Sequence, residues 1–197
     1  MTQEEKNKAL FAAVGQGDLE KVKELLASGA QVDVKDIWDR QPLHWAARGG
    51  HLPVVKYLIE EQGTQVDVKD MYGQQPLHLA ACDCRLPVVK YLVEERGAEV
   101  DAKDNGDWQP LHTAVIYGHL PVVKYLIREQ GVQVDAKDRD GKTPTELARD
   151  SPEIRKFLEE WASPENMEKR RQMANVKAVR AHWKRLGGLL PKPGPGM

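Results

Sequence analysis

One eight-residue stretch occurs three times in this chain at a constant spacing. It begins at Leu52, at Leu86 and at Leu120, so that each copy starts 34 residues after the previous one. Each copy has the sequence Leu-Pro-Val-Val-Lys-Tyr-Leu followed by Ile or Val, and the residues between the copies keep the same register. A fixed period of this length is typical of stacked units, so the chain is predicted to form one elongated repeat domain.

Each copy is predicted to form a short helix. Its proline, for example Pro53, stands where the first helical residue needs no amide hydrogen bond. Val55, Leu58 and Ile59 then share one apolar face at the i, i+3, i+4 spacing. A face this narrow cannot fold alone, so each unit must pack against its neighbours.

A second, inner helix is predicted in each unit, after a turn. Each unit opens at an aspartate and reaches a proline six residues later, and the proline begins the helix. These openings are Asp36 with Pro42, Asp70 with Pro76, Asp104 with Pro110, and Asp138 with Pro144. Alternating segments such as Val66-Asp67-Val68 lead into the turn and predict a two-stranded finger.

The period also predicts the domain organisation. A repeat domain spans residues 1–162, with an N-terminal cap at 7–35, full units at 36–69, 70–103 and 104–137, and a C-terminal cap at 138–162. Residues 163–197 follow as a basic amphipathic helix and a disordered Pro/Gly tail.

Three motif elements recur in one register across residues 7–162. They are Pro-Leu-His-x-Ala-Ala, then Gly-His-Leu-x-Val-Val-Lys-x-Leu, then Gly-x-x-Val-Asp. In this combination the chain resembles the ankyrin-repeat family. The resemblance implies an all-α solenoid of stacked helix-turn-helix units with β-hairpin-like fingers, and protein binding as its usual role. It also implies that partners contact the finger tips and the exposed side of the inner helices.

Two departures from the family pattern bear on local structure. The threonine that usually precedes the inner-helix proline is present only as Thr143, whereas Gln41, Gln75 and Gln109 replace it, so three units lack a hydroxyl cap. The glycine between the helices, present as Gly50 and Gly118, is Cys84 in the middle unit. If the backbone there needs a positive φ, Cys84 is strained and its unit is locally weaker.

The candidate partner-binding residues follow from the resemblance, position by position. They are Ile37, Trp38, Arg40, Arg48, Met71, Tyr72, Gln74, Cys82, Asp83, Trp108, Ile116, Tyr117, Arg139, Asp140 and Lys142. The aromatic members Trp38, Tyr72, Trp108 and Tyr117 are the expected anchors, because aromatic and arginine side chains carry much of the energy of interfaces. Alternatively, Trp38 and Trp108 fold down and pack between fingers. Trp45, at a position that is normally Leu, is predicted to be core.

The sequence predicts no catalytic site, cofactor or metal. His44, His78 and His112 recur once per unit, but helices packed about 8–10 Å apart place them poorly to share one ion. Each is instead predicted to bond to its own finger backbone. Cys82 and Cys84 are two thiols without a second pair, which does not suit a metal site or a disulfide framework.

The composition is that of a folded chain in a reducing compartment. Hydrophobic residues make up 41% and charged residues 30% of the sequence. No apolar run long enough for a membrane span and no apolar segment of a secretory signal is present, and two cysteines fit a cytoplasmic or nuclear location.

Charge separates the tail from the repeats. Residues 163–197 contain eight Lys or Arg against two Glu, for a net charge of +6, which leaves −7 on residues 1–162. Met173, Val176, Val179, Trp183 and Leu186 lie at helical spacing, surrounded by a basic patch of Lys169, Arg170, Arg171, Lys177, Arg180, Lys184 and Arg185. Such a segment either docks on the last repeat or binds a calmodulin-like groove, an anionic membrane or nucleic acid.

The function that the sequence predicts is a non-enzymatic, monomeric adaptor or scaffold that binds a protein partner on its concave finger and inner-helix surface. The alternative is a targeting protein that acts through its basic C-terminal segment.

Overall fold

The computed structural model describes residues 1–166, and within them the chain is a row of antiparallel helix pairs. The helices are α1 (Gln3–Gln16), α2 (Leu19–Ala27), α3 (Pro42–Gly49), α4 (Leu52–Glu60), α5 (Pro76–Cys82), α6 (Leu86–Lys90), α7 (Pro110–Ile116), α8 (Leu120–Lys124), α9 (Pro144–Leu147) and α10 (Pro152–Ala162). π-helical turns continue α6 over Tyr91–Glu95 and α8 over Tyr125–Glu129, and a 3₁₀ turn spans Pro164–Asn166. The basic patch predicted at Lys169, Arg170, Arg171, Lys177, Arg180, Lys184 and Arg185 lies outside the described residues.

The odd-numbered helices form an inner row and the even-numbered helices an outer row. In the inner row, each helix packs against the next one in the order α1, α3, α5, α7, α9. In the outer row, each helix packs against the next one in the order α2, α4, α6, α8, α10. The small Ala46, Ala80 and Ala114 are fully buried between inner helices, where they allow close approach. The all-α solenoid that the family resemblance implies is confirmed. None of the helices in residues 1–166 is long and apolar enough to cross a membrane.

In the first turn of each inner helix of units 36–137, a histidine side chain accepts the hydrogen bond that the missing hydroxyl cap does not provide. Pro42, Pro76 and Pro110 are the first helical residues, as the sequence predicts. Three residues after the capping glutamine, the histidine ring accepts a backbone hydrogen bond at Nδ1, for example from the Gln41 amide to His44 at 3.1 Å. In the last inner helix, Thr143 and Glu146 form a reciprocal capping box.

The other ring nitrogen of His44 and of His78 bonds to the next unit. Nε2 of His44 bonds to the Gln74 carbonyl oxygen and that of His78 to the Trp108 carbonyl, each at 3.1 Å. Nε2 of His112 bonds instead to the Ala136 carbonyl near the end of its own unit, also at 3.1 Å. The prediction that each histidine bonds to its own finger is therefore wrong for Nε2. Since Nδ1 accepts a hydrogen bond, Nε2 carries the proton, and His44 and His78 hold consecutive units together.

The fingers are turns rather than paired strands. No strand occurs between residues 1 and 166, so the two-stranded finger predicted from Val66-Asp67-Val68 is wrong. Each finger is instead closed by the aspartate that opens it: Oδ1 of Asp70 accepts hydrogen bonds from the Tyr72 and Gln74 amides, both at 2.9 Å. The same pattern recurs at Asp36, Asp104 and Asp138.

Neighbouring fingers are joined by one backbone hydrogen bond each. The Met71 amide donates to the Trp38 carbonyl at 3.0 Å, and the Asn105 amide to the Tyr72 carbonyl at 2.9 Å. The Arg139 amide repeats this contact with the Gly106 carbonyl at 2.9 Å. Four fingers are therefore fixed in one continuous row.

The outer helices are linked by a repeated tyrosine contact. The Tyr91 hydroxyl donates to Glu60 Oε1 at 2.8 Å, and the Tyr125 hydroxyl to Glu94 Oε1 at 3.0 Å. Burial, and then the neighbouring glutamate, raises the pKa of both tyrosines well above the ordinary value. Both rings are almost completely buried, so these contacts belong to the stacking of the units rather than to a free surface.

The middle unit contains the backbone strain expected at its missing glycine. Cys84 has φ +57°, whereas the equivalent Gly50 and Gly118 have φ +77° and +76°. The turn that ends the inner helix thus keeps its left-handed residue although the side chain opposes it.

Candidate binding surface

The large apolar side chains that remain exposed within residues 1–166 lie, apart from Met1, on two fingers and at the end of one inner helix. Apart from Met1, they are Ile37 (82% exposed), Tyr117 (59%), Met71 (51%), Tyr72 (47%), Ile116 (42%) and Trp38 (38%). Four stand on the first two fingers and two at the end of α7. All six belong to the partner-binding set predicted from the sequence.

The two indoles of the first full unit are stacked with arginines. The ring centroids of Trp38 and Trp45 are 6.4 Å apart. The Arg40 guanidinium lies 5.6 Å from the Trp38 centroid and 5.8 Å from that of Trp45, and Arg48 lies 5.7 Å from Trp45 on the same inner-helix side. These distances are within the range of cation–π attraction, which holds the indoles in a fixed orientation.

Trp45 is a site residue that the sequence did not identify. It was predicted to be core, but it is half-buried, and its indole N–H donates to Asp36 Oδ2 at 2.9 Å. The aspartate therefore closes the finger with one oxygen and orients Trp45 with the other. The only signal for this role was a tryptophan where neighbouring units have Leu79 and Thr113.

Two ion pairs tie the surface together across units. Arg40 Nε lies 3.1 Å from Asp70 Oδ2, and the arginine side chain is 13% exposed while that of the aspartate is fully buried. Arg48 Nε lies 3.1 Å from Asp83 Oδ2 at the end of the next inner helix, in a more open position. Arg40 and Arg48, two members of the predicted partner-binding set, thus form ion pairs within the chain that join neighbouring units.

A second apolar group lies at the end of α7. Tyr117 stacks on His119 with centroids 6.4 Å apart, and Ile116 is exposed beside it. The nearby Cys82, together with partial burial, raises the pKa of the Tyr117 hydroxyl. Partial burial and the adjacent Asp83 carboxylate raise the pKa of the Cys82 thiol. Both groups therefore remain neutral at pH 7 and offer an uncharged surface next to the Arg48–Asp83 pair.

The other residues of the predicted partner-binding set differ in exposure. Trp108 is half-buried, with its ring centroid 6.5 Å from that of His112, so it is less available than Trp38. Gln74 is half-buried, and its carbonyl accepts the bond from His44. On the fourth finger, Arg139 and Asp140 are exposed, and Lys142 lies 3.7 Å from Asp140.

The recurring histidines are occupied by backbone groups at both ring nitrogens. Burial lowers the pKa of His44, His78 and His112, although the carbonyl bonded at Nε2 opposes this shift in each case. The rings are therefore neutral and structural. Within residues 1–166, no cluster of three or more His, Cys, Asp or Glu side chains is arranged to hold a metal ion.

Stacked helix pairs and fingers joined in one row define a repeat protein. Within residues 1–166, its exposed large apolar side chains other than Met1 lie on the first two fingers and at the end of α7. Models of ankyrin repeats match residues 10–104 as three copies and residues 105–148 as further copies. The chain belongs to the ankyrin-repeat family, which is generally a non-enzymatic protein-interaction fold. A search of the curated proteins gives no match to this sequence.

Proposed function

We propose that this protein is an adaptor that binds a protein partner on its fingers and inner helices, with Ile37, Trp38, Met71 and Tyr72 as the principal contact. The observation that carries this proposal is that, Met1 aside, the exposed large apolar side chains of residues 1–166 lie on the fingers and at the end of inner helix α7. Exposed apolar groups that cluster are typical of contact sites.

The fixed geometry of the fingers favours binding because little conformational entropy remains to be lost. The Met71 amide already bonds to the Trp38 carbonyl, and the Arg40–Asp70 pair joins the same two fingers. A partner therefore meets side chains on a surface that is already assembled. Trp108 contributes through its half-buried ring, and Ile116 and Tyr117 extend the contact along the inner helices.

A comparative pull-down tests the proposal. The double variant Ile37→Ala with Tyr72→Ala removes two exposed side chains, so the fold should be retained. Loss of two interface anchors is expected to weaken binding by on the order of 2 kcal/mol or more, which is about thirtyfold.

The matched control is Tyr57→Ala on outer helix α4, which removes the same aromatic side chain from the opposite row. Proteins captured by the wild type and by the control, but lost with the double variant, support the proposal. Equal capture by all three proteins, with unchanged circular dichroism, would contradict it.

The role of residues 163–197 in targeting remains a separate proposal, which rests on their net charge of +6. Binding to anionic vesicles or to nucleic acid that weakens steeply between low and moderate salt, and that needs these residues, would favour it over the adaptor role. The repeat boundaries, the monomeric state and the cytoplasmic or nuclear location are likewise proposals that rest on the sequence.

A further inference from the structure

The end of the solenoid contains a pocket that the described residues leave open. Its volume is about 110 Å³, and it is lined by the apolar side chains of Ile127, Val132, Val134 and Trp161, with Asp135 at the wall. A single water molecule needs about 10–15 Å³ of such space, so the pocket has room for an apolar side chain.

The pocket exists because the last unit ends differently from the internal ones. The outer helices of units 70–137 are followed by apolar pairs, Ala98 with Val100 and Val132 with Val134, and all four residues are buried. After α10 the chain continues through Ser163 into the 3₁₀ turn Pro164–Asn166, and each of these residues is half-buried or exposed. The described chain thus supplies no corresponding apolar pair at the end of the row, where a repeat array needs a cap.

The chain leaves the described region beside this pocket. Ala162 is one of the lining residues, and the Asn166 side chain turns back to donate to the Glu160 carbonyl at 2.6 Å. The next residue, Met167, is therefore only a few residues from the pocket along the chain. A segment that begins here can reach the pocket without a long connection.

The surroundings of the pocket are acidic. Asp135 lines the pocket, Glu159 and Glu160 precede Trp161 on α10, Glu165 follows α10, and all four are exposed. Among the cations at this end, Lys156 lies 3.9 Å from Glu160, while Lys124 and Arg128 lie over the Phe157 ring at 5.9 Å and 5.0 Å from its centroid. The local charge favours a basic occupant.

The next part of the sequence has the complementary composition. Met173, Val176 and Val179 lie three residues apart, with Trp183 and Leu186 continuing the same stripe, and seven Lys or Arg occur between residues 169 and 185. We propose that residues 167–186 of this chain pack intramolecularly against the end of the solenoid, with apolar side chains in the pocket beside Trp161 and basic side chains near Glu159 and Glu160.

Hydrogen exchange on the full chain tests this inference. The variant Val176→Asp with Val179→Asp places charge on the apolar stripe. The control Ala174→Asp with Ala181→Asp makes the same change of charge on the opposite side of the predicted helix. The backbone amides of residues 127–135 and 158–162 are expected to exchange about tenfold faster in the stripe variant than in the wild type. The control should match the wild type.

Three outcomes would overturn the inference. Identical exchange in all proteins would show that nothing packs at this pocket through Val176 and Val179. Equal acceleration by both pairs would show a general effect of charge. Wild-type protection that disappears on dilution would assign the pocket to a second copy. Because the fingers are not involved, this test is independent of the partner-binding proposal.

Discussion

At the scale of single residues, one buried carboxylate joins two fingers. Oδ1 of Asp70 closes its own finger by accepting the Tyr72 and Gln74 amides, and Oδ2 accepts a hydrogen bond from Arg40 of the preceding finger at 3.1 Å. The aspartates that open the other fingers share the first role. Asp104 lacks the second, because Gln74 occupies the position that corresponds to Arg40.

Asp70→Asn should therefore be much more harmful than Asp104→Asn. Asparagine keeps an oxygen that can accept the two finger amides, but it removes the charge that faces Arg40 inside the protein. We expect Asp70→Asn to lower the free energy of unfolding by about 2–3 kcal/mol and Asp104→Asn by less than about 1 kcal/mol. Urea denaturation measures both, and equal losses would show that the Arg40 pair does not stabilise the fold.

Cys84 offers a test of backbone strain with an internal control. Cys84→Gly and Cys84→Ala both remove the thiol, but only alanine keeps a Cβ at φ +57°. We expect the glycine variant to be more stable than the alanine variant by about 1 kcal/mol. Cys82 is the last residue of α5, where glycine is unfavourable because it lies in a helix. At this position we expect the alanine variant to be more stable than the glycine variant by about 1 kcal/mol. The same order at both sites would contradict the strain assignment.

At the scale of elements, the inner helices and fingers are connected by a row of neutral histidines. Each ring accepts a hydrogen bond from its own unit at Nδ1. At Nε2, His44 and His78 donate to the next unit, whereas His112 donates to Ala136 near the end of its own unit. Protonation at Nδ1 would break the first of these bonds and place a charge in the interior, which is why burial lowers the pKa of all three.

This arrangement predicts the direction of the pH dependence. Because the folded-state pKa of His78 lies below the unfolded value of about 6.5, the unfolded chain binds more protons, and stability falls as the pH decreases through 6.5. We expect His78→Gln to reduce the slope of unfolding free energy against pH, between pH 6.5 and 5, by up to about 1.4 kcal/mol per pH unit. Denaturation at several pH values measures the slope, and an unchanged slope would contradict the neutral, buried histidine.

The sequence predicted the elements better than the contacts between them. The prolines at Pro42 and Pro76 mark helix starts because a first helical residue needs no amide donor, which is a local property. The partner of His44 Nε2 is 30 residues away, and the distance between stacked units decides which carbonyl the ring reaches. For the same reason, the exposed fractions of Trp38, Trp45 and Trp108 differ although each residue lies near a finger. The burial of each ring is set by its neighbours in space, which include Arg40 and His112.

At the scale of the whole molecule, the units share many of their backbone contacts but differ in their exposed side chains. The bonds from His44 and His78 to the following unit have equivalent atoms and the same length of 3.1 Å. The finger tips, by contrast, are Ile37 and Trp38 in one unit and Asn105 and Gly106 in another. The repeat thus supplies the framework, and the tips supply any specificity.

Removal of one whole unit should therefore shorten the solenoid without abolishing its fold. Deletion of residues 70–103 places His44 opposite the Trp108 carbonyl, where His78 lies in the intact protein. It also places Arg40 opposite Asp104 instead of Asp70. It also places His119 next to Gly50, which repeats the present approach of His51 to Gly17. We expect a cooperative unfolding transition at lower denaturant concentration, with an m-value reduced by about a fifth, since units interact only with their neighbours. A control that lacks residues 70–99 retains residues 100–103 as four extra residues at the new junction. We expect it to unfold at a still lower denaturant concentration, because the contacts between unit 36–69 and unit 104–137 are then out of register. If the two deletions unfold alike, the stacking contacts assigned here to equivalent atoms do not determine the fold.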